Sequence, residues 1–112
     1  MNTITTHVLD TSTGKPASGI VIRLEILRTN IWEHIGIGTT DDDGRLKTLL
    51  DGKAPEKAEY RIHFETDPYF AAQGKTGFFP EVIIHFRIEN PAQHHHVPLL
   101  LSPYGFSTYR GS

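Results

Sequence analysis

The chain contains no cysteine, which removes disulfide frameworks and thiolate metal sites and leaves nothing that argues for an oxidising compartment. It also lacks an excess of one charge: 11 Lys and Arg stand interspersed among 13 Asp and Glu, for a formal charge of −2. Without a basic stripe there is no footprint for a phosphate backbone, and without a polybasic face none for anionic lipid. Neither nucleic acid nor a membrane is therefore an expected partner. Long apolar runs are missing as well. No stretch approaches the roughly 18 residues of a spanning helix, and the opening MNTITTHVLD has neither the charged start nor the apolar run of an export signal. A cytoplasmic location is the expectation. There is no internal repeat, and 112 residues suffice for one domain, residues 1–112, whose core needs no covalent brace.

What the chain does have is alternation. Asn2 to Leu9 puts Ile4, Thr6 and Val8 on one side and Thr5, His7 and Leu9 on the other, the period of a strand. Turn-forming residues from Asp10 to Gly19 make a loop. Ile20 to Leu27 sets four aliphatic residues against Arg23 and Glu25, a sheet dry on one face and wet on the other. Ile31 to Thr39 follows as a hairpin partner whose glycines permit a bulge or a close backbone approach. Asp41 to Gly44 is a turn that delivers Arg45 to a strand running to Leu50. Ala58 to Thr66, Glu81 to Glu89, His94 to Leu101 and Gly105 to Tyr109 complete about eight strands. Asp67 to Gln73 is the one helix expected, with Asp67 as cap and Pro68 in the first turn. Pro98 demands a ladder gap, a bulge or an edge at its position. Short strands separated by Gly and Pro turns predict an all-β, two-sheet sandwich carrying one short helix.

Seven histidines are the first candidates for chemistry, because imidazole titrates near neutrality and is a common metal ligand. His34, His63 and His85 fall on the polar faces of their strands and read as surface or interface. In His94-His95-His96, strand alternation lets only His94 and His96 converge, and two ligands make a weak zinc site. Asp41-Asp42-Asp43-Gly44 has the composition of a calcium loop but neither its ligand spacing nor its closing Glu. A metal-free hydrolase opening an amide needs a base, a donor for the oxyanion and a group that positions water. His7, His96, Arg45 and the tail from Tyr109 to Ser112 would supply these parts if the fold assembled them. The tail is notable in itself, since an aromatic and a guanidinium at a chain end suggest a docked terminus rather than a frayed one.

Four stretches carry a family resemblance: THVLDTSTGKPA (6–17), TTDDDGR (39–45), FFPEV (78–82) and HHHVPLLLSPYGFSTYRGS (94–112). They resemble the transthyretin-related 5-hydroxyisourate hydrolases from end to end, and the terminal YRGS is the element that separates those hydrolases from transthyretin. The resemblance implies a transthyretin-like sandwich assembled as a homotetramer, a dimer of dimers with pockets where two dimers meet. It implies catalytic roles for His7, Arg45, His96 and Ser112, with Tyr109 beside them and His7 and Arg45 also holding substrate. The implied reaction is hydrolysis of 5-hydroxyisourate to 2-oxo-4-hydroxy-4-carboxy-5-ureidoimidazoline in urate breakdown, with no metal or organic cofactor. Either histidine fits the role of base. His95 stands where the family usually has tyrosine, and alternation points it away from His96, so little effect on chemistry is expected. The competing class is a transthyretin-like carrier of a small apolar ligand, against which the polar lining argues, because it would leave unpaired groups around such a ligand.

Overall fold

The computed structural model describes residues 3–112. Ten elements follow in order: β1 (Ile4–Asp10), β2 (Lys15–Pro16), β3 (Val21–Arg28), β4 (Ile31–Thr39), β5 (Arg45–Leu46), β6 (Ala58–Phe64), α1 (Thr66–Ala71), β7 (Val82–Ile88), β8 (His95–Ser102) and β9 (Gly105–Thr108). One sheet runs β2–β1–β8–β9 with β5 also paired to β1, and the other runs β4–β3–β6–β7. The period-two residues decide which faces meet. Ile4, Val8, Leu99 and Leu101 from the first sheet and Ile22, Leu24, Ile62 and Phe64 from the second are buried in one cluster. Their neighbours in sequence therefore face outward, and this places Thr5 and His7 on the outer surface of the first sheet. Among the described residues no helix is long and apolar enough to cross a membrane.

The chain departs from expectation where backbone geometry or ladder pairing overrides local pattern. Lys15–Pro16, expected within a loop, pairs with Leu9 and Asp10 and gives a ninth strand. The strand expected over Arg45–Leu50 pairs only through Leu46, after which the chain turns at Thr48–Asp51; Leu49 and Leu50 are nonetheless buried. The helix begins one residue early, and Asp67 lies in its first turn rather than capping it. In β4 the register shifts opposite Leu24 and Glu25, a bulge at Ile35, and Ile31 and Ile37 are left exposed. Asn2, placed in the first strand, lies outside the described residues. Pro98 meets its condition: the β8–β9 ladder stops at Leu99–Thr108 and resumes only as a bridge between His96 and Gly111, so a gap falls opposite the proline.

His63 is not the plain surface residue its strand position implies. It is buried on the outer face of the second sheet, where Glu25 accepts hydrogen bonds from its Nε2 and from Arg61 Nε at 3.0 Å. Arg61 in turn lies 4.0 Å over the Trp32 ring. His34 and His85 are exposed.

Asp10 is fully buried at the end of β1 and ties the first sheet to the helix. Its carboxylate accepts bonds from Ser12 N and Oγ at 2.9 and 2.6 Å and from the Tyr69 hydroxyl at 2.7 Å. Burial opposes its ionisation, yet these donors outweigh burial and hold it below the ordinary 3.8. Burial and the carboxylate together push the Tyr69 hydroxyl up to about 12. A carboxyl depressed in the folded state contributes stability that is present at neutral pH and lost as pH falls through its unfolded value toward its folded one. Tyr69→Phe is expected to cost about 1–3 kcal/mol by leaving part of a buried carboxylate unpaired, and to steepen acid unfolding less than wild type does below about pH 4. Denaturant melts at pH 7 and pH 3 check both; equal stability at pH 7 would remove this anchor from the account.

Candidate active site

On the outer face of the first sheet, a cavity of about 290 Å³ is lined by Thr5 and Thr6 of β1, Arg45 and Lys47, His94 and His96, and Ser112. Ladder register brings together residues that are far apart in sequence. In the parallel β1–β8 pair Thr5 stands beside His96 and His7 beside Pro98, while in the antiparallel β1–β5 pair His7 stands opposite Arg45. Three segments thus converge across one strand.

Arg45 owes its position to the aspartate turn. Asp41 Oδ1 accepts from the backbone N–H of Asp43 and of Arg45, each at 2.9 Å, and those bonds, the Arg45 one foremost, hold the Asp41 carboxyl below its usual range. Gly44 closes the turn at φ +74°, and a Cβ there would lie 2.4 Å from the Val8 carbonyl oxygen. Only glycine accepts both the conformation and the approach. The turn locks onto β1 through Val8 N–H donating to Gly44 O at 2.8 Å.

His96 is half-buried. Its imidazole pKa falls below the ordinary 6.5, first through burial and then through the positive charges of His7, His94 and Arg45. It is therefore neutral at pH 7 and able to accept a proton. The Thr5 hydroxyl lies 2.8 Å from His96 Nδ1 and 2.9 Å from His94 Nε2. The tail docks as well: Gly111 N–H donates to His96 O at 2.8 Å, and a Cβ on Gly111 would come within 2.5 Å of the His96 ring. The last residues thus pack on the imidazole, and Ser112 reaches the cavity.

The structure brings His96, Arg45 and Ser112 into one lining and sets His7 beside Arg45 on the adjoining strand. It does not bring Tyr109 there within one chain: Tyr109 is 59 % exposed and borders a neighbouring cavity with Ile84, Phe86 and Val97. His95, buried, borders that second cavity, which His96 also lines, and not the first. Thr5, Lys47 and His94 were not singled out for this site. The signal for all three was parity, since each lies two residues from a candidate on the same face of a strand or its extension. Among the described residues no group of three or more His, Asp or Glu is arranged to hold a metal ion.

The HIUase/transthyretin family model matches residues 4–111. The chain belongs to that family. The 5-hydroxyisourate hydrolase of Salmonella dublin is 47% identical over 111 residues, 99% of this chain and 82% of that one. The solved 5-hydroxyisourate hydrolase of Klebsiella pneumoniae superposes with a TM-score of 0.88 at 35% identity, covering 100% of both chains. Sea bream transthyretin in complex with thyroxine superposes with a TM-score of 0.90 at 26% identity, over 96% of this chain and 93% of that one. Within the HIUase/transthyretin family the backbone alone therefore does not separate a hydrolase from transthyretin.

Proposed function

We propose that this protein hydrolyses 5-hydroxyisourate, opening its six-membered ring to give 2-oxo-4-hydroxy-4-carboxy-5-ureidoimidazoline. The observation that carries this reading is a neutral, half-buried imidazole in one cavity with a guanidinium, on a chain whose full-length relatives bear the hydrolase name. His96 takes a proton from water as the oxygen attacks the ring carbonyl. Arg45 offers its planar fork of N–H donors to the oxygen that becomes negative. As the C–N bond breaks, that proton passes to the departing nitrogen by way of His7, so both rings end the cycle as they began. Ser112 hydrogen-bonds water or substrate with its hydroxyl. An apolar hormone would leave Arg45, Lys47 and both histidines without partners, at a cost that disfavours a carrier.

The test is to follow freshly generated 5-hydroxyisourate by ultraviolet absorbance with and without protein, correcting for spontaneous decay. Enzyme-dependent acceleration that persists in a chelator supports the metal-free reading; decay at the uncatalysed rate removes it.

The reading includes assembly as a homotetramer in the cytoplasm. What supports assembly is that, among the described residues, β4 and β7 in one sheet and β9 in the other each pair on one side only, leaving free edges. In addition, the cavity opens on the outer face of the first sheet, where Leu9 and Leu100 are half-buried. Unpaired edges call for cover, and a second dimer facing the first would roof the cavity and add groups such as the partner chain's tail. Light scattering at micromolar concentration is expected to give four times the chain mass; a fully active monomer would sink the assembly.

A further inference from the structure

The Thr5 hydroxyl stands between two imidazoles, Nδ1 of His96 at 2.8 Å and Nε2 of His94 at 2.9 Å. A hydroxyl has one proton to donate and two lone pairs to accept with. When both rings are neutral it can donate to one of them only, and the other must donate to it. The two tautomers are thereby tied together. In one arrangement His96 carries its proton on Nδ1, donates to Thr5, and Thr5 donates to His94 Nε2. In the reverse arrangement His94 donates, Thr5 donates to His96 Nδ1, and the His96 proton sits on Nε2.

The surroundings choose between them. Among the described residues Nε2 of His96 has no protein hydrogen-bond partner, whereas Nδ1 is held by Thr5. The charged and titratable side chains that face this ring are His7 from β1, Arg45 and Lys47 from β5 and its extension, and His94 from its own segment, with Ser112 of the tail in the same lining. The side chains in that set are cationic when charged. A lone pair turned toward Arg45 and Lys47 is favoured over an N–H dipole turned toward them. His94 is exposed and Thr5 is 8 % exposed, so the chain of bonds runs from solvent inward to the half-buried ring.

We propose that Thr5 is a positioning residue: its hydroxyl accepts from His96 Nδ1–H and donates to His94 Nε2, fixing the tautomer in which His96 presents an unprotonated Nε2 to the cavity. In that state His96 is a base without any prior rearrangement. When it takes a proton from water at Nε2, the new imidazolium already has its Nδ1–H hydrogen-bonded to Thr5, and the charge is stabilised where it forms. His94 serves as the acceptor that keeps the Thr5 proton turned away from His96.

The inference rests on the hydrolase reading for its kinetic consequence but not for the tautomer, and the experiment separates the two. Nitrogen-15 spectra of histidine-labelled protein report which ring nitrogen carries the proton, with or without substrate. Wild type is expected to show His96 protonated at Nδ1 and bare at Nε2. Thr5→Val, which keeps shape and loses the hydroxyl, should release that preference, lower kcat about tenfold to hundredfold with KM nearly unchanged, and move the acid limb of the kcat/KM profile to lower pH. That sign follows because the lost acceptor had favoured the charged ring. Thr5→Ser should restore both tautomer and kcat, and His94→Ala should shift the tautomer toward Nε2–H. Wild-type His96 protonated at Nε2 overturns the proposal, as does Thr5→Val with wild-type kcat and an unmoved limb. The expected tautomer in a protein that does not accelerate 5-hydroxyisourate decay would instead overturn the hydrolase reading and leave the Thr5 assignment standing.

Discussion

His96→Gln is expected to lower kcat/KM by about 10²–10⁴-fold, the range that a positioned general base contributes, while the melting temperature stays within a few degrees of wild type. The imidazole is half-buried at the sheet's outer face rather than in the core between sheets, so an amide of similar length fills its place at little packing cost. What the amide cannot do is take a proton. In wild type the depressed pKa puts the acid limb of kcat/KM below the ordinary 6.5, with a plateau through neutrality; in His96→Gln that limb should vanish with the rate. Arg45→Lys gives a second arm. It keeps the charge and the Asp41 backbone bonds but loses the planar fork, and about 10²-fold is expected, comparable to removing an oxyanion donor. Wild-type turnover in His96→Gln would move the base elsewhere, and His7→Asn would then be the variant to measure.

His34 and His85, both exposed, should tolerate replacement with full activity. His63 differs. Its partner Glu25 is held below its usual range; burial works against this, but the bonds from His63 and Arg61 outweigh it. His63→Ala is expected to weaken the fold, since it strips one of those donors from Glu25 and leaves a void under the ion cluster.

How much could be read in advance follows from which forces are local. The inward faces of β1, β3, β6 and β7 were legible because a sheet dry on one side forces period two on the sequence. The aspartate turn was legible because Asp and Gly are used there for reasons of backbone geometry. β4 was legible in part: its glycines announced a bulge, which falls at Ile35, but not that Ile31 and Ile37 would be left in solvent. β2 was invisible because two residues carry no period. At the site, the types of residue needed for hydrolysis were visible, but their convergence was not. The parallel pairing of β1 with β8 joins residues some ninety positions apart, and no periodicity encodes which strand lies beside which. Family resemblance supplied that step. Thr5 was passed over for a related reason: a threonine in a strand reads as β-propensity, and only the neighbouring strand turns it into a bridge between two imidazoles.

Deleting Tyr109 to Ser112 is expected to leave the sandwich folded and nearly abolish hydrolysis. The core closes without these residues, since its last members are Val97, Leu99 and Leu101, and Tyr109, Arg110 and Ser112 are exposed. Little apolar area is lost, and the melting temperature should barely move. Yet the last two of these residues stand against the cavity. Gly111 bridges to the His96 backbone and packs its bare Cα against the imidazole, and Ser112 reaches the lining. Without them the ring loses a neighbour that fixes its plane, and water or substrate loses a hydroxyl. Gly111→Ala probes the packing alone while retaining Ser112. Its Cβ would fall 2.5 Å from the ring, so the imidazole must shift, and a misplacement of about 1 Å is enough for roughly 100-fold in rate. A bulky C-terminal tag should impair turnover for the same reason, and an N-terminal tag should be better tolerated. Turnover and thermal midpoint, measured side by side for the intact, truncated, Gly111→Ala and C-tagged proteins, decide the matter. Loss of activity with an unchanged midpoint identifies the tail as part of the site, whereas full turnover in the truncated protein would make it surface decoration.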